Sequence, residues 1–278
     1  MGALSKRAAG AALMNDHIEL FACPICKKKM AVREQGSLCC EGNHSFDIAK
    51  QGYVNMMTHA ATSKYSKELF ESRNAIIASG LYDRLEAAIS KKIEGAKTVL
   101  DTGCGEGSHL ARIMMQVEGA IGVGIDIAKE GILTAARQHP EQIWCVGDLA
   151  KSPYAEGSFD AILNILSPAN YEEFKRLLAP GGCVVKVVPQ SGYLKELRTQ
   201  LYADSEKVTY TNAQTVERFK ESFAHTIVER LTYTMPIATD RIPALLTMTP
   251  MGWHKAEDRE LQLTAITIDL DILVGRIL

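Results

Sequence analysis

Apolar residues recur along this chain in two rhythms. Short runs rich in Val and Ile fall at the start of 97–108 and within 119–126, 142–149, 159–168 and 183–188, and they read as strands buried on both faces. Helical periodicity lies between them, as in 128–138. That alternation predicts an α/β fold, a Rossmann-like doubly wound sheet. Beyond 188 the pattern continues with helices near 193–201 and 213–223, a strand over 226–234, a short helix near 242–247 and a last strand over 263–273. Ahead of 97, Leu69, Phe70, Arg73, Ile76 and Ile77 share one helical face. Gly80 then interrupts, and Leu81, Leu85, Ala88, Ile89 and Ile93 begin a second amphipathic run.

The strand ends hold the candidate chemistry. The first strand runs through Asp101 into Gly103, Gly105 and Gly107, and a helix beginning near Glu106 aims unpaired amide N–H groups over the turn. The spacing is G-x-G-x-G, not the G-x-G-x-x-G of dinucleotide sites, and Asp101 would repel a pyrophosphate while suiting a cation such as an α-amino group. This pattern resembles the first motif of class I S-adenosylmethionine-dependent methyltransferases. Asp126 ends the second strand and is placed to accept from both ribose hydroxyls, or to cap the helix over 128–138. Asp148 ends the third; it suits an adenine amino group with Leu149 against the ring, or merely a turn. At the fourth strand, Asn164 and Ser167 are the polar groups best placed to meet a methyl acceptor, although neither is a persuasive base.

Composition adds a second module. Of the seven cysteines, four fall between Cys23 and Cys40, a clustering that favours metal over disulfides in a chain without a secretory signal. Cys23, Cys26, Cys40 and His44 supply four ligands for a closed tetrahedral zinc ribbon; Cys39 competes for the third sulfur, but strand alternation points it away from Cys40. The whole chain has a formal charge of −2, so any nucleic-acid contact needs a local patch. Lys27, Lys28, Lys29, Arg33, Lys50, Lys64 and Lys67 face only Glu34, Glu41 and Asp47, and Phe46 and Tyr53 among them either stack on unpaired bases or fill a small core. Arg73 reads as facing RNA or cofactor, or as paired with a neighbouring acid. Trp253 reads as a base clamp or a packing residue. No apolar run approaches the roughly 20 residues that span a bilayer, and the first residues are thin for a signal peptide.

Four segments follow: a disordered leader over 1–16, a zinc-ribbon RNA-recognition domain over 17–57, a linker with connecting helices over 58–94, and a methyltransferase domain over 95–278. The C-x-x-C and C-x-x-x-H ribbon, Phe46-Asp47, Gly52-Tyr53-Val54-Asn55, the glycine turn and Thr247-Met248-Thr249-Pro250 together resemble the ribosomal RNA large subunit methyltransferase A family. The resemblance implies methylation of guanine N1 in a hairpin loop of 23S rRNA, with S-adenosylmethionine and zinc as cofactors. It places zinc on Cys23, Cys26, Cys40 and His44, and cofactor on Asp101, Gly103, Gly105, Asp126 and the Asp148-Leu149 turn. It further implies a cytoplasmic homodimer, no membrane, and one of two types, of which one is linked to tylosin-like macrolide resistance. The alternative is a small-molecule methyltransferase with a structural ribbon.

Overall fold

The computed structural model describes residues 4–34, 36–60, 65–202, 211–249, 251 and 261–277. Helix α1 (Lys6–Asp16) is capped by the Ser5 hydroxyl, which accepts from Ala8 N. The expected disordered leader is therefore wrong over this stretch: Ala11 and Met14 are 1% and 0% exposed, packed among ribbon and sheet residues. Apart from Met14 the face that docks is built of alanine and glycine, so it has little apolar periodicity to read. At Gly10 a Cβ would lie 2.3 Å from Gly52 O, a contact only two bare backbones can make.

Strands β1 (Met30–Arg33), β2 (Ser37–Cys40) and β3 (Ser45–Asp47) form an antiparallel ribbon, with Met30 opposite Cys40 and Leu38 opposite Phe46. Two residues, β4 (Val54–Asn55), then leave it for the large sheet. Helix α2 (Lys67–Ala78) starts at Ser66, whose hydroxyl accepts from Leu69 N, and Gly80 at φ +86° turns the chain into α3 (Asp83–Lys92).

The alternating core follows: β5 (Thr98–Thr102), α4 (Ser108–Met114), β6 (Ile121–Asp126), α5 (Lys129–Gln138), β7 (Ile143–Val146), β8 (Phe159–Ile165), α6 (Tyr171–Leu177), β9 (Leu178–Pro189), α7 (Lys195–Tyr202), α8 (Ala213–Ser222), β10 (His225–Pro236), α9 (Ile242–Met248) and β11 (Ala265–Arg276). The eight-stranded sheet runs β10-β11-β9-β8-β5-β6-β7-β4. It is parallel from β9 through β4, and β11 inserts antiparallel between β9 and β10. Strand spacing predicts the existence of β11 but not this insertion.

Period-two burial divides the sheet into two faces. Val99, Leu163, Val185 and Ile268 meet α2 to α5, α7 and α9 on one; Leu100, Val123, Ile162 and Val184 meet α6, α8, α1 and the ribbon on the other. The ribbon thus covers a face of the sheet. Its core claims Phe46 at 9% exposure, and Tyr53 at 5% exposure packs toward the opposite face, so neither ring is free to stack on a base. Residues 1–3 of the leader, 61–64 of the linker with Lys64, and Trp253 lie outside the described residues.

Candidate metal centre and cofactor pocket

Two knuckles bring the four zinc candidates together. The chain turns through left-handed Lys27 (φ +59°) in the first and Asn43 (φ +62°) in the second. One donor atom from each of Cys23, Cys26, Cys40 and His44 lies within 4.8 Å of all the others. The Sγ of Cys23 is 3.5 Å from His44 Nδ1, Cys26 Sγ is 3.6 Å from Cys40 Sγ, and Cys40 Sγ is 3.4 Å from His44 Nδ1. A tetrahedron with bonds of about 2.0–2.3 Å has edges of about 3.4–3.8 Å, so the donor set fits zinc. Burial pushes the Cys40 thiol up, but the His44 N–H and the neighbouring thiols outweigh it and bring it down to about 6, which favours the thiolate that binds metal. Cys39 points away and donates to Ser45 Oγ at 3.3 Å.

The second site lies at the carboxyl ends of β5 to β8. Gly103, Gly105 and Gly107 all adopt positive φ (+74°, +59° and +80°). A Cβ at Gly103 would stand 2.0 Å from Ser167 Oγ, and one at Gly105 would stand 2.9 Å from Arg73 Nη1, so side chains from β8's end and from α2 close over the turn. Beneath it are three acids. Asp101 is 2% exposed with Oδ1 unpartnered, and Glu106 is 1% exposed with both carboxylate oxygens unpartnered. Burial, then Asp126 and Glu106, push the Asp101 carboxyl up to about 8, against the pull of Arg73. Burial raises Glu106 and Asp126 as well, opposed at Glu106 first by Arg73 and at Asp126 first by the Ala128 N–H. Such orphaned carboxyls are costly unless a cation meets them.

Asp126 is held in the turn by two backbone N–H groups and is not the cap of α5, whose N-cap is Ala128. Its Oδ2 accepts from Gly105 N at 2.8 Å and its Oδ1 from Ala128 N at 2.7 Å, which ties the end of β6 to the glycine turn and to the chain just ahead of α5. Each oxygen keeps a second lone pair for a ligand. Asp148 likewise makes its turn, accepting from Ala150 N at 2.8 Å, with half-buried Leu149 next to it.

Sequence reasoning left Arg73 open and did not single out Glu106 or Ile127. Arg73 stacks over Phe70, its guanidinium carbon 5.9 Å from the ring centroid, and makes no hydrogen bond or ion pair among the described residues. Ile127 follows Asp126 and is 42% exposed, an apolar side chain beside the strand-end acid. An unpaired guanidinium above two orphaned carboxyls fits a ligand end that bears both an ammonium and a carboxylate, as S-adenosylmethionine does.

Asn164 and Ser167 part company. Asn164 is wholly buried: its Nδ2 donates to Thr102 O, Thr102 Oγ1 and Pro168 O, and its Oδ1 accepts from Lys186 Nζ at 2.5 Å. These bonds brace the strand end, and with the side chain wholly buried none of its atoms faces the pocket. Ser167 lies over Gly103, beside Leu166, which is held at φ +52° and is 38% exposed.

Known proteins resemble the chain over both regions. A zinc-ribbon family model described as RlmA, N-terminal, matches residues 21–67, and a methyltransferase-domain model matches 99–182. A Bacillus subtilis (strain 168) protein, named as a candidate 23S rRNA (guanine-N1)-methyltransferase, is 42% identical over 272 residues, covering 92% of this chain and 96% of that protein. The 23S rRNA (guanine(748)-N(1))-methyltransferase of Streptomyces fradiae is 30% identical over 249 residues, 87% of this chain and 88% of that one. Haemonchus contortus phosphoethanolamine N-methyltransferase 2, solved with S-adenosylhomocysteine, superposes with a TM-score of 0.51 at 15% identity over 77% of this chain and 59% of that chain, a likeness of fold alone.

Proposed function

The chain belongs to the RlmA-type family of 23S rRNA (guanine-N1)-methyltransferases, and from that membership we propose that it methylates N1 of a guanine in a hairpin loop of 23S rRNA. The supporting observation is relatedness along nearly the whole chain, ribbon and methyltransferase domain together, to proteins named for that reaction. S-Adenosylmethionine, when bound, supplies an electrophilic methyl on a sulfonium that leaves readily.

The protein's share is then mostly binding and positioning. Asp101 and Glu106 would receive the cofactor's ammonium, and Arg73 its carboxylate. Asp126 would accept from the ribose hydroxyls and Asp148 from the adenine amino group, with Leu149 and Ile127 enclosing the ring. The guanine is splayed from its loop and laid over Leu166 and Ser167 at the end of β8, with Ser167 Oγ the polar side chain that meets it. N1 must lose its proton before or during attack. Asn164, whose amide is engaged on both sides, holds the loop and takes no part in that transfer.

On the ribbon, Ile25, Lys27, Lys28 and Lys29 are exposed on the first knuckle and Lys50 beyond the second, a basic edge for phosphate. A cytoplasmic homodimer with two ribbons lining one cleft would double that charge. No helix among the described residues is long and apolar enough to cross a membrane.

The deciding experiment is tritium transfer from labelled S-adenosylmethionine to protein-free 23S rRNA with the product base identified. Incorporation as 1-methylguanine supports the reading, and the modified position assigns the type, with its link to tylosin-like macrolides. Bound cofactor and zinc with no incorporation into any RNA would favour a small-molecule acceptor instead. Ser167→Ala with methylation undiminished would remove the guanine from β8's end.

A further inference from the structure

The turn after β7 is gripped on both sides by the N-terminal module. Upstream, Val54 and Asn55 of β4 pair with Cys145 and Val146, and Met56 N donates to Val146 O at 2.9 Å. His59 Nε2 stands 3.7 Å from Asp148 Oδ2. Downstream, Ala22 N donates to Pro153 O and Ala155 N to Leu20 O, both at 2.9 Å, with Phe21 bridged antiparallel to Tyr154. Lys27, inside the first zinc knuckle, donates from Nζ to Ser152 O at 3.1 Å. Between the two clamps lies 147–151, whose Gly147 N donates to Asp126 O at 3.0 Å. The turn is thus wired to the ribose acid on one side and to the metal centre on the other.

We propose that the zinc knuckle positions the cofactor site: through Lys27 and the pairing of Phe21 and Ala22 with 153–155, the metal-held ribbon fixes the 147–151 turn and so raises cofactor affinity. This rests on the reading that Asp148 and Leu149 bind the adenosine. The ribbon therefore serves the methyl donor as well as the RNA. The knuckle has this reach because its own shape is metal-dependent. Cys23 and Cys26 sit four residues and one residue before Lys27, where the chain turns left-handed, and Lys27 N donates back to Cys23 O at 2.8 Å. Released ligands let that turn relax, and the Nζ contact goes with it. Coupling of this kind is reciprocal, so cofactor must also tighten zinc.

The test uses the full chain and S-adenosylhomocysteine, with no RNA present. Its dissociation constant is measured for zinc-loaded and chelator-stripped protein, for zinc-loaded Lys27→Met and Lys27→Arg, and for Asp148→Ala. Zinc affinity is measured by chelator competition with and without S-adenosylhomocysteine. We expect stripping to weaken binding by about 5- to 50-fold. Lys27→Met, retaining its zinc, should weaken it by a smaller factor that Lys27→Arg partly restores, and the ligand should tighten zinc by the same factor that zinc tightens the ligand. Equal dissociation constants with and without zinc would overturn the proposal, as would a zinc-loaded Lys27→Met indistinguishable from wild type. Weakening in Asp148→Ala alone would leave the adenosine reading standing and sink the coupling. No weakening in Asp148→Ala would remove the adenosine reading itself, and the proposed route with it.

Discussion

At the scale of single residues, the cofactor pocket stores unfavourable charge. Asp101 has a carboxyl pushed up to about 8 in the ligand-free protein, far above its ordinary value, so near pH 7 it is mostly protonated. A cationic ligand favours the ionised form, and binding at pH 7 should release on the order of one proton. Calorimetry in buffers of different ionisation enthalpy reads this directly, and Asp101→Asn should abolish the release together with most of the affinity. The stability sign runs the other way. A carboxyl raised above its unfolded value costs stability as pH climbs from the unfolded value towards 8, so Asp101→Asn should stabilise the ligand-free protein at pH 8 but not at pH 4, by roughly 1–3 kcal/mol. Arg73→Ala should weaken S-adenosylhomocysteine by about 10- to 100-fold, the loss of one charge-assisted contact. Asp101 and the glycines were legible in the sequence because their spacing is local. Arg73 was only half legible, since its partner depends on where α2 lies. Asn164 misled for the same reason: a strand-end amide looks available until Lys186 and Thr102 are seen to occupy it.

Elements were legible wherever the hydrophobic period was sustained. The first-strand turn, the acid-ended strands, α2 to α5 and α7 to α9 follow from it, whereas α6, seven residues capped by Asn170, was not anticipated. Helix α1 escaped because alanine and glycine supply contact without contrast, and β4 because two residues cannot show a period. The glycine turn makes a sharp test of element geometry. Gly103→Ala adds a Cβ 2.0 Å from Ser167 Oγ at a φ of +74°, and should cost about 1–3 kcal/mol while displacing the β8 loop. Thermal melts and cofactor titration measure both effects. Cys26→Ser should lower the bound zinc below one per chain and lower the melting temperature, because so small a ribbon depends on its metal for much of its folding free energy.

For the molecule as a whole, the two modules share one apolar core. Cys23, Cys40, Leu38 and Phe46 of the ribbon cluster with Val123, Cys145 and Tyr154 of the sheet. No sequence pattern announces that junction, since each half reads as self-sufficient. The short strand β4 has a consequence beyond holding the modules together. It is the strip that covers the outer edge of β7, whose four residues Ile143, Trp144, Cys145 and Val146 are each at most 2% exposed. A bare apolar strand edge is a template for other chains. Metal loss in this protein should therefore show itself as turbidity: light scattering should climb on adding a strong chelator at 37 °C, and should stay flat while zinc is bound. Zinc would then guard solubility, and a cell short of the metal would lose the enzyme to aggregates before it lost it to slow catalysis.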